Sequence, residues 1–202
     1  MPQFGLRGAT VAQYNNNDGA VTYGNPIGAG CAITVNLELT FAEDRLYACD
    51  SLAEYLREVT GGNITFGAKL FPQEAQLLMF GSKTKTRSVT YTPAGGTQTT
   101  KTVTSVATTA NDDPSYVGFG CYAPDMVNGV RKYTAFFVPK VKFSTPSTVL
   151  QTKGESITFQ TPQTTGAFLQ SDASDKVIQE IAICDDEEQA KAWITAAFGA
   201  ST

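Results

Sequence analysis

The chain of 202 residues contains no histidine. That absence removes the usual general base, the Ser-His and Cys-His nucleophile pairs and the commonest metal ligand. Enzyme chemistry would have to run on carboxylates, Lys or Tyr alone. Charge is scarce as well: 17% of residues are charged, and 15 basic against 19 acidic side chains give a formal −4. A protein that holds nucleic acid by its phosphates needs clustered Lys and Arg, so this balance gives no support to such a grip, although it leaves room for nucleic acid passing nearby. The four cysteines, Cys31, Cys49, Cys121 and Cys184, lie far apart with no C-x-x-C pair. Zinc and thioredoxin-like sites therefore have no spacing to rest on, and reduced, packing thiols are expected. No segment approaches the roughly 18 apolar residues that span a bilayer, and the opening MPQFGLRG lacks the apolar run of a secretion signal. Synthesis in a cytoplasm, without membrane insertion, is the expectation.

What is present is a folded chain of 42% hydrophobic residues in which Thr is the commonest type, a composition that leans toward strands. Its length suits one domain over 1–202. Residues 31–40, CAITVNLELT, alternate: Cys31, Ile33, Val35, Leu37 and Leu39 point one way, Ala32, Thr34, Asn36, Glu38 and Thr40 the other. Residues 63–70, NITFGAKL, repeat the design, with Ile64, Phe66, Ala68 and Leu70 against Asn63, Thr65, Gly67 and Lys69. Two half-buried strands, each with one wet face, are predicted to pair as neighbours. Between them, residues 41–62 read as a long loop, too long for a hairpin turn, whose middle DSLAEYLREV suits a short helix or an ordered excursion. Leu46, Tyr47, Leu52, Tyr55 and Leu56 make it too apolar for a free loop, so it either reaches another subunit or tucks onto its own core.

FPQEAQLLMFG carries Pro72 near a helix start, Ala75, Leu78 and Met79 at helical spacing and Gly81 as a stop. The Thr-rich tract 83–113 has Pro93 and Gly95-Gly96 at its centre and reads either as a long polar hairpin or as a solvated loop. SYVGFGCYA and KYTAFFVPKVKF follow as strands around DMVNG, with Pro139 marking an edge or a bulge. In GESITFQTPQTTGAF, a chain reversal at Pro162 is expected to bury Ile157 and Phe159 before it, and Ala167 and Phe168 after a Thr-Thr-Gly bend. The region 176–199 closes the chain as a strand, KVIQEIAIC, and a helix whose Asp-Glu cluster caps its start. The sum is a mainly β fold, an antiparallel sandwich or barrel with one internal and one C-terminal helix.

The order of these pieces resembles the major tail proteins of long-tailed bacteriophages, in particular the phi13-type group. The matching stretches are GLRGATVAQY, YACD, FPQEAQLLMFG, SYVGFGCY, YTAFFVPKVKFSTPS and above all TKGESITFQTPQTTGAF, covering roughly residues 4–170. The resemblance implies a structural virion protein of a non-contractile tail. Six copies would form a ring, each giving strands to a continuous barrel, and rings would stack into a tube through which genomic DNA passes without specific binding. Tape measure, tail terminator and distal tail proteins would be its other partners; no cofactor, metal or catalytic residue is implied. On that reading Thr34, Asn36, Glu38, Thr40, Asn63 and Thr65 line the lumen, because hydroxyls, amides and negative charge let phosphates slide where Lys or Arg would hold them. Leu46, Tyr47, Leu52, Tyr55 and Leu56 would contact the next ring or subunit.

Other signals are explained without a ligand. GNPIGAG at 24–30 has the glycines of a phosphate loop but precedes a strand and lacks the Lys-Ser/Thr ending, so it reads as a turn. Asn111-Asp112-Asp113-Pro114 does not follow calcium-loop spacing and also reads as a turn. Two other functions stay open: a secreted or surface β-sandwich binding module, which the unpaired cysteines argue against, and a carboxylate-based hydrolase, for which no paired acidic motif is present. A tube subunit of a phage-derived bacteriocin would read in the same way as the virion protein.

Overall fold

The computed structural model describes residues 4–48, 50–147, 152 and 160–199. Along the chain run β1 (Arg7–Asn17), β2 (Ala20–Tyr23), β3 (Ile27–Gly28), β4 (Ala32–Ala48), β5 (Ser51–Ala68), α1 (Gln73–Phe80), β6 (Lys83–Tyr91) and β7 (Thr99–Ala107). They are followed by β8 (Val117–Val127), β9 (Val130–Phe143), β10 (Gln163–Leu169), β11 (Glu180–Cys184) and α2 (Glu187–Ala197). The fold is mainly β with antiparallel sheets, one internal helix and one C-terminal helix, as the alternation predicts. One sheet takes the order β2-β1-β8-β9-β10-β5-β4, with β3 added to β1 and β11 to β9; β6 and β7 form a separate ribbon.

The core follows from the period of two in the strands. Ile64, Phe66 and Ala68 are fully buried, and Phe66 meets the rings of Phe119 and Phe71 edge-on at 5.3 and 5.5 Å. Helix α1 lies on the same cluster with Ala75, Met79 and Phe80, after Pro72 at its start and before Gly81, whose left-handed conformation stops it. Ala9 and Val11 of β1 belong to this cluster, and Val35 and Leu37 of β4 pack at its margin, so the two ends of the strand order converge on one core. On the opposite face of the sheet, Ala190, Ile194 and Phe198 of the α2 region pack over Ala12, Tyr122, Ala135 and Phe137. Asp186 caps that helix by accepting from the Gln189 amide at 2.6 Å.

Several expectations change. Residues 41–62 are neither loop nor helix: β4 and β5 continue past the sheet as a twisted hairpin, paired from Phe41↔Val59 out to Ala48↔Ser51, with Asp50 at φ 58 in the turn. A tip that short was not signalled by an Asn-Gly or Asp-Gly pair. The tract 83–113 contains a hairpin, Lys83↔Ala107 through Tyr91↔Thr99, followed by an irregular stretch. After Pro162, Gln163–Leu169 is a straight strand with no Thr-Thr-Gly bend; it buries Thr164 and Phe168 and leaves Ala167 exposed, because alternate residues face opposite ways. Ile157 and Phe159 lie outside the described residues. Leu70 is exposed because β5 has ended at Ala68, and Cys31 is exposed while Cys121 and Cys184 are buried; Cys49 lies outside the described residues. Of KVIQEIAIC only Glu180–Cys184 forms a strand. GNPIGAG contributes β3, zipped to β1 through Val11↔Ile27, instead of a simple turn.

Gly62 shows how tightly the sheet is closed. A Cβ there would lie 2.2 Å from Cζ of the fully buried Phe168 and 2.4 Å from the backbone oxygen of Glu38. Gly62→Ala is expected to cost about 1–3 kcal/mol in a urea titration, the usual cost of overpacking. Gly28→Ala, with nothing within 4 Å of the added carbon, is expected to stay within about 0.5 kcal/mol of the parent. Equal stabilities for the two variants would contradict this packing.

Candidate functional site

The six polar residues singled out in the sequence converge on one face. Directly paired residues of antiparallel strands share a face, and Asn36 pairs with Thr65, Glu38 with Asn63, Thr34 with Gly67 and Thr40 with Gly61. Strand β10 extends the surface, since Thr165 pairs with Thr65 and Gln163 with Gly67. Thr34, Asn36, Glu38, Thr40 and Asn63 are exposed and Thr65 is half-buried. The burial of Ile64, Phe66 and Phe168 on the other side holds this register in place. Helix α2 covers the same side of the sheet over β8 and β9, where Gly118 and Gly120 let Phe198 and Ile194 approach, and leaves the β4-β5-β10 part open.

The charges at this face are few and mostly occupied. Asn36 donates to Glu38 at 2.7 Å. On β9, Lys142 pairs with Asp113 at 2.8 Å and Lys140 with Asp172 at 2.7 Å. Asp172 also accepts from the Tyr14 hydroxyl at 3.1 Å and from Asn16 at 3.0 Å. The hydrogen bond from Lys140, ahead of that from Tyr14, holds the Asp172 carboxyl below the usual carboxylate range. The surface therefore presents hydroxyls, amides and the Glu38 carboxylate, with Lys140 and Lys142 of β9 already engaged. Lys69, which the alternation places on the same side, is exposed just beyond the end of β5.

The apolar residues of 41–62 are not tucked onto the core. Leu46, Tyr47, Tyr55 and Leu56 are 58, 63, 47 and 62% exposed, and the side chain of Leu52 lies outside the described residues. Pairing divides the arm into two faces. Phe41, Glu43, Arg45, Tyr55, Arg57 and Val59 share one, where Arg57 lies 3.7 Å over the Phe41 ring and bonds Glu43 at 3.1 Å. Leu46 and Leu56 are on the other.

A third feature escaped the sequence reading. The inward face of β4 is only half closed, and Ile33, Val35 and Leu37 form one wall of a groove of about 530 Å³, with Leu6, Cys121 and Phe136 on the far side. Ile33 is exposed, as are Ile181 and Ile183 of β11, which pair beside Phe136 and Thr134. Burial pushes the Cys121 thiol up to about 12, so it sits there as an apolar group and not as a nucleophile. The outer edge of β4 has no partner strand among the described residues.

The acidic residues near α2 are used within the chain. Asp186 caps the helix, Asp185 pairs with Lys132, and Glu187 accepts from Tyr122 at 2.9 Å and from Arg7 at 2.8 Å. Asp112 closes its own turn on Thr109. Among the described residues no group of three or more His, Cys, Asp or Glu is placed to hold a metal, and no helix is long and apolar enough to cross a membrane. No family model matches the chain, and no curated protein matches it.

Two carboxyls tie distant strands together. Glu187 is held low chiefly by the Tyr122 hydrogen bond, as Asp172 is by Lys140. A carboxyl whose folded pKa lies below its unfolded value of about 4 contributes fully above that value and loses its contribution as pH falls through the folded one. The melting temperature is expected to fall between about pH 5 and about pH 2. Asp172→Asn should lower it at neutral pH and have little effect at the acid end, where the carboxyl is protonated in both states. A deficit of equal size at both ends, read by calorimetry, would contradict the assignment.

Proposed function

We propose that this chain is a structural subunit that assembles with copies of itself into a tube, and that the tube is the tail tube of a long, non-contractile bacteriophage tail. The observation that carries the reading is the combination at β4. A 17-residue edge strand, about 55 Å long, has no partner on its outer side among the described residues and borders a face of hydroxyls and amides. An exposed edge of that length is an aggregation hazard unless another strand covers it, and strand addition between copies does so while continuing the polar face from subunit to subunit. The groove behind Ile33, Val35 and Leu37 supports the same reading, because a neighbour's apolar side chains fill it as its backbone pairs with β4.

In this account rings of six stack head to tail, a heterologous contact that does not close and so generates a filament. The face carrying Thr34, Asn36, Glu38, Thr40, Asn63 and Thr65 turns inward, where DNA slides past without ion pairs to hold it. The exposed β4-β5 arm reaches the next ring or subunit. Tape measure, terminator and distal tail proteins meet the tube inside and at its ends, and the subunit works in the virion without catalysis or cofactor.

Negative-stain microscopy of the concentrated protein is expected to show rings or tubes with a central channel. Tyr55→Asp with Leu56→Asp should leave a folded protomer, with a melting temperature near that of the parent, and abolish tubes. A protein that stays monomeric at high concentration, with or without its tail partners, would sink the reading. Normal tubes from the double variant would remove the arm from the stacking contact.

A further inference from the structure

The β6-β7 ribbon has an asymmetry that the tube reading does not use. Its register puts Lys83, Lys85, Arg87, Val89 and Tyr91 on one face, together with Ala107, Ser105, Val103, Lys101 and Thr99. The other face carries Thr84, Thr86, Ser88 and Thr90 opposite Val106, Thr104, Thr102 and Thr100. All four cations of the ribbon therefore lie on one side, interleaved with the exposed Val89, Tyr91 and Val103. No Asp or Glu occurs between Ser82 and Asn111. Among the described residues no carboxylate is within ion-pair distance of Lys85, Arg87 or Lys101, and Lys83 acts only at a distance on Asp112. A two-stranded ribbon with every strand residue of β6 exposed is marginal by itself and gains from a cover.

The β4-β5 arm presents the complement. Ala42 pairs with Glu58, Asp44 with Leu56 and Leu46 with Glu54, so one face carries three carboxylates and no cation, interleaved with the exposed Leu46 and Leu56. Glu54 and Glu58 make no ion pair among the described residues, whereas on the opposite face Glu43 and Arg57 satisfy each other. Both faces mix charged and apolar side chains spaced at the same two-residue repeat of roughly 6.6 Å, because both are extended β. Across the ribbon Arg87 lies beside Val103 and Val89 beside Lys101, as across the arm Asp44 lies beside Leu56 and Leu46 beside Glu54. Among the described residues the ribbon's main neighbour outside itself is α1, and it makes no extensive contact with this arm within one chain.

We propose that the acidic and apolar face of the β4-β5 arm in one copy docks on the basic and apolar face of the β6-β7 ribbon in a neighbouring copy. The proposal rests on the self-assembly reading above and names the receiving surface for the arm. The two faces differ, so the contact is heterologous and repeats along the assembly. Asp44, Glu54 and Glu58 meet Lys85, Arg87 and Lys101 at the rim of the contact, while Leu46 and Leu56 meet Val89, Tyr91 and Val103. A second copy is favoured over a nucleic acid as occupant because this chain itself carries the matching face, with the same period and with apolar groups where the ribbon has them.

The test uses two charge-reversed proteins, Glu54→Lys with Glu58→Lys, and Lys85→Glu with Arg87→Glu. Each alone should raise the critical concentration for assembly at least about tenfold, since like charges then face each other. An equimolar mixture should return to within about threefold of wild type, because each arm then finds an opposite ribbon only on the other variant. Circular dichroism and melting of each variant check folding. Independently, the wild-type critical concentration should rise between low and high salt. Tubes from both variants at the wild-type concentration, a mixture of folded variants that does not recover, or salt-independent wild-type assembly would each overturn the docking while leaving self-assembly intact. Wild-type protein that never assembles would overturn both. A labelled DNA duplex that binds wild type and is lost from the ribbon variant, with assembly unchanged, would assign the ribbon to nucleic acid and overturn the proposal.

Discussion

Everything in this molecule depends on where Phe66 sits. Its ring is fully buried against Phe71, Phe119 and Phe143, and that contact sets the register of β5 against both neighbours. Because side chains alternate, a slip of one residue would carry Thr65 and Asn63 into an aromatic cluster and Phe66 and Ile64 into water. Burying those hydroxyl and amide groups without partners would cost several kcal/mol, so the slip is forbidden and the wet face is specified by the core behind it. Thr34, Asn36, Glu38 and Thr40 inherit their orientation from β5 through pairing, and Gln163 and Thr165 do so from its other side.

Past Gly61 and Gly62 this control ends. The strands keep pairing toward the tip, yet among the described residues no layer covers either side of the arm, and Leu46, Tyr47, Tyr55 and Leu56 remain in solvent. One face manages its exposure through Arg57 on Phe41 and Arg45 on Tyr55. The other carries Asp44, Glu54 and Glu58 with Leu46, Leu56 and Ala42, and no cation. Together with the open side of β4 and the groove behind it, the protomer leaves much of its unsatisfied surface along one strand pair, which is the pattern expected of a part made for assembly.

The legible parts of the sequence were those in which one face is buried. Residues 34–40 and 63–68 alternate because the Phe66 cluster sorts them, and the six polar positions fell together on one face for the same reason. A bulge at Ile33 breaks the pattern before that, so Ala32 pairs with the buried Ala68 and packs on the core while Cys31 and Ile33 are exposed. FPQEAQLLMFG and the acidic start of the last helix were legible through their punctuation, Pro72 with Gly81 and Asp186. The bulge near Pro139, between the Val117 and Phe119 pairings, was legible too. The β4-β5 arm was not, because a ribbon exposed on both faces has no inside to impose alternation, and DSLAEYLREV mimics a helix. The Asp18-Gly19 turn joining β1 to β2, with both residues at positive φ, was a readable hairpin signal that the longer strands overshadowed. Nothing local could reveal the groove, since its walls come from β4, β8, β9 and the N-terminal segment.

The central claim is that a second copy pairs with the outer side of β4. Residue-resolved hydrogen exchange of the β4 amides, followed from dilute protein to assembled material, tests it most directly. The account predicts that amides pointing away from β5 exchange quickly in the dilute protomer and become protected on assembly, while those bonded to β5 are protected in both. Outward amides that exchange as fast in the assembled state as in the dilute one would contradict it.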